Sequence, residues 1–205
     1  MNLKFGKYNS GMTYVELIVV LSIFAVLSSV AIFNYSTFQE TIDIKNLSSD
    51  IALEIVQARN SSLSGTLPVS GYSPTWKPSY GVYFNSSSVK DSDGLPFDQK
   101  FIYFADLNDN NIYDGTTTCS GECVQKYTIS KGDIVSNLSV FYKNDSTEHY
   151  VNNLTITFIR PDSDATVLSG VTKLSNVDYV QISITSPKGL TSEIQLYPSG
   201  RVQVI

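Results

Sequence analysis

The chain of 205 residues is short of the residue types that most catalytic and metal sites need. It has one histidine, His149, and two cysteines, Cys119 and Cys123. A structural zinc site takes four Cys or His ligands, so zinc does not fit. Gly-x-Ser-x-Gly, His-Glu-x-x-His, the phosphate loop and the dinucleotide fingerprint are all missing, and one histidine among many serines makes no triad. No enzyme is expected. Charge is also scarce, at 16% of residues, with a net value of −5. An acidic chain repels phosphate backbones, so nucleic acid is not expected as a partner. Disorder is not expected either, because 42% of residues are hydrophobic. The most telling gap in charge is local. Between Tyr8 and Gln39 only Glu16 is charged, and no proline occurs anywhere in 12–64.

The apolar run from Met12 to Phe33 fills that gap. As a helix it would be roughly 33 Å long, enough to cross a bilayer. A carboxylate at the bilayer centre costs about 2.5–3.5 kcal/mol on insertion scales, so Glu16 needs a compensating partner. Lys4 and Lys7 precede the run and no acid does. By the positive-inside rule they hold the short leader in the cytoplasm and export the chain beyond Phe33. A secretory signal would carry its small-residue cleavage site after the run, where Ser28-Ser29-Val30-Ala31 imitates one weakly. The better small residue is Gly11, ahead of the run. Cutting there leaves the helix on the mature chain.

Gly11-Met12-Thr13-Tyr14-Val15-Glu16, followed by Leu17-Ile18-Val19-Val20-Leu21, resembles the class III signal of type IV pilins and type II secretion pseudopilins. The resemblance implies that a prepilin peptidase cuts between Gly11 and Met12 and methylates the new amine, so that Glu16 becomes the fifth mature residue. It implies a structural subunit of the inner membrane, single-pass with its C-terminal domain outside. An assembly platform would draw it, with other pilin or pseudopilin subunits, into a surface or periplasmic filament. Glu16 would neutralise the amine of a neighbouring subunit. Met12 stands where the family usually has phenylalanine, and Phe33 where many relatives have proline. The residues agree with this reading. Glu16 falls in the first turns of a helix, where the macrodipole favours an anion, and four residues from Met12 on one face. The alternative is a signal anchor whose Glu16 snorkels to the headgroups, which leaves glycine, leader and glutamate unexplained as a set.

Beyond Phe33 the helical pattern persists but becomes one-sided. Ile44, Leu47, Ile51, Ile55 and Ala58 recur at three and four residues, with Asp43, Lys45, Asp50 and Arg59 between them. Ser64-Gly65 is a stop signal. The expected divisions are a leader (1–11), a transmembrane or filament-core helix (12–34), its amphipathic continuation (35–64) and a β-rich domain (65–205). Gly65, Pro68, Gly71, Pro74 and Pro78 mark a connecting loop, with Trp76 expected to pack beneath it. Short β-branched and aromatic runs predict strands at 80–84, 100–105, 124–130, 134–143, 154–160, 177–185, 192–197 and 201–205. The expected fold class is α+β, a long N-terminal helix packed on antiparallel sheet.

The stretches Ser79–Phe84, Phe104–Asp114 and Tyr197–Gln203 resemble the GspH/FimT-type minor pseudopilins. Some members of that group bind DNA through a C-terminal Gly-Arg-x-Arg, and Gly200-Arg201-Val202-Gln203 lacks the second arginine. Asp106, Asn108, Asn110, Ile112 and Asp114 alternate as oxygen ligands do in a calcium loop, but Asn111 replaces the glycine and Thr117 the closing glutamate. Two readings stand: a weak calcium site, or an Asx-rich turn capped by its own side chains. Cys119 and Cys123 are expected to close a small disulfide loop, as suits an extracytoplasmic domain. His149 is expected at the surface, and Asp162-Ser163-Asp164 in a turn. Besides the filament subunit, two other functions fit the sequence: a tip adhesin or ligand receptor using the β-domain, and a solitary anchored ectodomain.

Overall fold

The computed structural model describes residues 11–67, 77–116, 119–162 and 164–205, without the side chains of Ala31, Phe33, Asn34, Ser36 and Ser146. Lys4, Lys7, Trp76 and Thr117 lie outside the described residues, and so does most of the expected connecting loop. The chain divides into two compact units, Met1–Glu40 and Thr41–Ile205.

Helix α1 spans Tyr14–Ser64. In the first unit, every described large apolar side chain from Val15 to Val30 is exposed, between 45% at Leu17 and 69% at Val15. The apolar surface goes all the way round. Among the described residues, no helix is long and apolar enough to cross a membrane. The stretch from Tyr14 to Val30 amounts to about 25 Å of helix against roughly 30 Å of hydrocarbon. The expected span runs on to Phe33, past the last of these side chains.

In the second unit, α1 turns one stripe inward. Ile44, Ile51, Ile55 and Ala58 are each 2% exposed or less, and Leu47 packs partly buried beside them. The helix stops where the sequence signals it. Gly65 takes φ +62°, its N–H reaches Ser62 O at 3.2 Å, and Thr66 N–H reaches Ser61 O at 3.2 Å. These paired bonds form a Schellman motif, in which only glycine is at ease at the left-handed position. Ser62 then ties the helix to the sheet, its Oγ accepting Tyr80 N–H at 2.6 Å.

Among the described residues, eleven strands come after the helix: β1 (Ser79–Asn85), β2 (Lys100–Asp106), β3 (Cys123–Thr128), β4 (Ile134–Tyr142), β5 (Asp145–Val151), β6 (Asn153–Phe158), β7 (Ala165–Ser169), β8 (Thr172–Lys173), β9 (Val177–Thr185), β10 (Thr191–Leu196) and β11 (Val202–Val204). A 3-10 turn, Phe97–Gln99, precedes β2. One sheet has six strands in the order β3-β2-β1-β6-β7-β8, the other five in the order β11-β10-β9-β4-β5. Both are antiparallel throughout. Alternate residues point inward, as a two-residue period requires. Tyr80, Val82 and Phe84 of β1, Ile156 of β6, Ile182 of β9 and Ile194 of β10 join the α1 stripe in one core. The expected α+β class with antiparallel sheets is observed.

Three strands were not expected from the sequence. β5 reads Asp-Ser-Thr-Glu-His-Tyr-Val and lies at a sheet edge, where polar residues are stable because few side chains need burial. β7 and β8 are short and end the other sheet. Their pairing comes from neighbours rather than from an apolar pattern of their own.

Candidate functional site

Gly11, Met12 and Thr13 precede α1 without helical structure. A Cβ added at Gly11 would meet nothing within 4 Å, and Met12 is 67% exposed. Among the described residues, nothing packs over the peptide bond between them. Thr13 caps the helix. Glu16 N–H donates to Thr13 Oγ1 at 3.3 Å, and Thr13 N–H and Oγ1–H both turn back to Glu16 Oε2, at 3.4 and 3.5 Å. This is a capping box, which satisfies two of the N–H groups that a helix start leaves unpaired. Thr13 was missed as a functional residue, although Thr-x-x-Glu is its sequence signature. Both return bonds fall on Oε2, so Oε1 takes neither. Gly11, Met12 and Glu16, expected to act together, are thus consecutive parts of one exposed helix entry.

The expected ligand loop is also brought together, but it closes on itself. Asp106 is fully buried, and its carboxylate accepts N–H bonds from Asn110 at 3.2 Å and Asn111 at 2.7 Å. Asn108 and Asn110 each accept the backbone N–H two residues on, and both donate their amide N–H to Asp114 Oδ2. Glu122, which the spacing did not mark, completes the set. It is 6% exposed and accepts N–H bonds from Leu107 at 3.0 Å and Asp114 at 2.8 Å. Burial raises the pKa of Asp106 and of Glu122, and these backbone donors pull the other way. Among the described residues, no group of three or more His, Cys, Asp or Glu could hold a metal ion. The two asparagines present N–H to Asp114, where a cation would need oxygen. The loop as described is an Asx-rich turn held by its own side chains and by Glu122.

The loop has a clear structural task. Tyr113 packs on Tyr83 and Phe104 at ring separations of 5.4 and 5.3 Å, covering the back of the six-stranded sheet. Phe104 lies so close over Gly81 that a Cβ there would come within 2.8 Å of its ring and would also run into Ile156 O. The Cys119–Cys123 disulfide, with Cα atoms 4.9 Å apart, closes the loop's far end.

A second buried charge cluster holds the stretch ahead of β2. Lys100 is 2% exposed, with its Nζ 2.9 Å from Asp91 and 3.0 Å from Asp93, while Lys126 reaches Asp93 from the side at 3.0 Å. His149 is at the surface as expected, 2.8 Å from Asp145 Oδ2. Thr147 donates its hydroxyl proton to Asp145, whose pKa is held down at about 2, first by that bond. Arg201 stacks on the Tyr197 ring at 3.8 Å. Comparison with known families, with curated proteins and with solved structures finds no match to this chain.

Proposed function

We propose that the chain is a structural subunit of a type IV pilin-like filament, of the minor pilin or secretion pseudopilin kind. The observation that carries this is the helix entry. An uncovered Gly11–Met12 bond leads within one turn to Glu16, the only carboxylate in the apolar stretch of α1 that is exposed on every side. An apolar surface of that extent calls for cover by lipid or by apolar surface of other protein subunits. In this reading α1 is the long N-terminal helix of the family, with residues 12–34 serving first as membrane anchor and then as filament core. Residues 35–64 carry the β-rich domain outside the membrane.

The chemistry follows from the named groups. A prepilin peptidase cuts after Gly11 and leaves a methylated amine on Met12. Glu16 Oε1 is then available to the Met12 amine of a neighbouring subunit, while Oε2 keeps the helix capped. Charge neutralisation removes the cost of a lone carboxylate in an apolar setting and sets the axial register of one helix on the next. The inner-membrane assembly platform and other pilin or pseudopilin subunits are the partners. Mass spectrometry of sheared surface filaments and of membranes tests the reading. A mature chain starting at N-methyl Met12 is expected. A chain that keeps residues 1–11 in both fractions contradicts it.

A further inference from the structure

Half of the chain's asparagines stand in Asn-x-Ser/Thr with no proline between. They are Asn46, Asn60, Asn85, Asn137, Asn144 and Asn153, together with Asn34, whose side chain is not described. Serine and threonine fill only about a fifth of the chain, so random placement would give fewer than half as many such triplets. Asn-x-Ser/Thr is the acceptor sequence for N-linked sugars, and an acceptor asparagine must present its amide nitrogen to solvent.

The fold sorts these six asparagines into two groups. Asn85 and Asn153 are half-buried and their amides are in use. Asn85 accepts Ser87 N–H at 2.9 Å and donates to the Tyr83 hydroxyl at 3.2 Å, and Asn153 accepts Gly170 N–H. Asn46, Asn60, Asn137 and Asn144 are exposed, and among the described residues their side chains make no hydrogen bond. Asn144 sits in the two-residue turn between β4 and β5, beyond the closing pair Tyr142–Asp145. Asn137 lies on β4 beside buried Leu138, so it faces away from the core. Asn46 and Asn60 lie off the buried stripe of α1.

We infer that Asn46, Asn60, Asn137 and Asn144 are N-glycosylation acceptors and that Asn85 and Asn153 are not. In the transfer, the asparagine Nδ2 forms a bond to the anomeric carbon of a saccharide carried on a lipid pyrophosphate. The bond from that carbon to the phosphate oxygen breaks, and the pyrophosphate leaves with the electron pair. One amide proton passes to a base of the transferring enzyme. No oxidant or reductant is involved. The inference rests on the proposed export of the residues after the helix, because the donor and transferase act on exported chains. The result would be a hydrated sugar coat on the part of the subunit that a filament shows to solvent.

The test is peptide mapping by mass spectrometry of the full chain purified from its own cells, with Asn144→Gln and Asn153→Gln variants alongside. Saccharide increments are expected on the peptides of the four exposed asparagines. Asn144→Gln should lose one increment and Asn153→Gln none. A chain that begins at Met12 with all four asparagines bare overturns the acceptors and leaves the subunit reading standing. Bare asparagines on a chain with its leader intact overturn both. Sugar on a chain with its leader intact supports the acceptors and counts against the subunit reading. Sugar on Asn85 or Asn153 overturns the sorting by exposure.

Discussion

Thr13 and Glu16 cap each other across the first turn of α1, the hydroxyl accepting Glu16 N–H at 3.3 Å while the carboxylate accepts Thr13 N–H at 3.4 Å. The same carboxylate therefore serves the helix before it can serve a neighbour. Thr13→Ala removes one half of the box and should cost the helix start about 1 kcal/mol, whereas Thr13→Ser should cost little. Hydrogen exchange of the full chain in detergent micelles reads this directly. Amides of the first turn should exchange roughly fivefold faster in Thr13→Ala, which is what about 1 kcal/mol implies. Unchanged exchange would mean that the cap contributes nothing.

Lys100 is almost wholly buried between Asp91 and Asp93. Lys100→Met keeps the packing and strands Asp91 near the sheet, while Asp93 keeps Lys126. A loss of about 3–5 kcal/mol is expected from urea unfolding, as for other buried pairs cut on one side. A loss below about 1 kcal/mol would show that the stretch ahead of β2 relaxes and rehydrates its acids.

Asp98 is 6% exposed, and among the described residues its Oδ1 has no hydrogen-bond partner. Burial raises its pKa. A carboxyl raised in the folded state contributes stability below its unfolded pKa of about 3.9 and loses it as pH rises through the folded value. Asp98→Asn should therefore be more stable than the parent at pH 7, by about 1 kcal/mol, with the gap closing below about pH 4. A variant equally destabilised at both pH values would contradict this.

The self-capped loop makes two forecasts. Millimolar calcium should leave the thermal midpoint of the full chain unchanged, and a rise of several degrees would show that Asn108 and Asn110 turn their oxygens to a cation. Glu122→Ala leaves the N–H groups of Leu107 and Asp114 without their acceptor. Each such loss costs about 1–3 kcal/mol, so unfolding in urea should show a clear drop.

How far the sequence carried depends on the kind of signal. The α1 stripe was legible because Ile44, Ile51, Ile55 and Ala58 bury at helical spacing, and β9 was legible because Val180, Ile182 and Ile184 alternate. β5 was not, since an edge strand such as Asp145–Val151 owes its conformation to pairing with β4. Glu122 was illegible for a related reason. It comes long after Asp106 in the chain and meets the loop only when β3 pairs with β2. Thr13 could have been found from Thr-x-x-Glu alone. The ligand spacing of Asp106–Asp114 was read from the chain, but which way the Asn108 and Asn110 amides point is set by the fold, and no spacing specifies it.

Incorporation of Glu16 variants into filaments tests the central claim most directly. Glu16→Gln preserves a hydrogen-bonding cap but carries no charge, while Glu16→Asp preserves the charge on a shorter arm. Quantified against the parent in sheared filaments, with membrane levels as reference, Glu16→Gln should insert normally and assemble at least tenfold less, and Glu16→Asp should recover part of the loss. Normal incorporation of Glu16→Gln would contradict the pairing of Glu16 with a neighbouring Met12 amine and leave the carboxylate as a helix cap only.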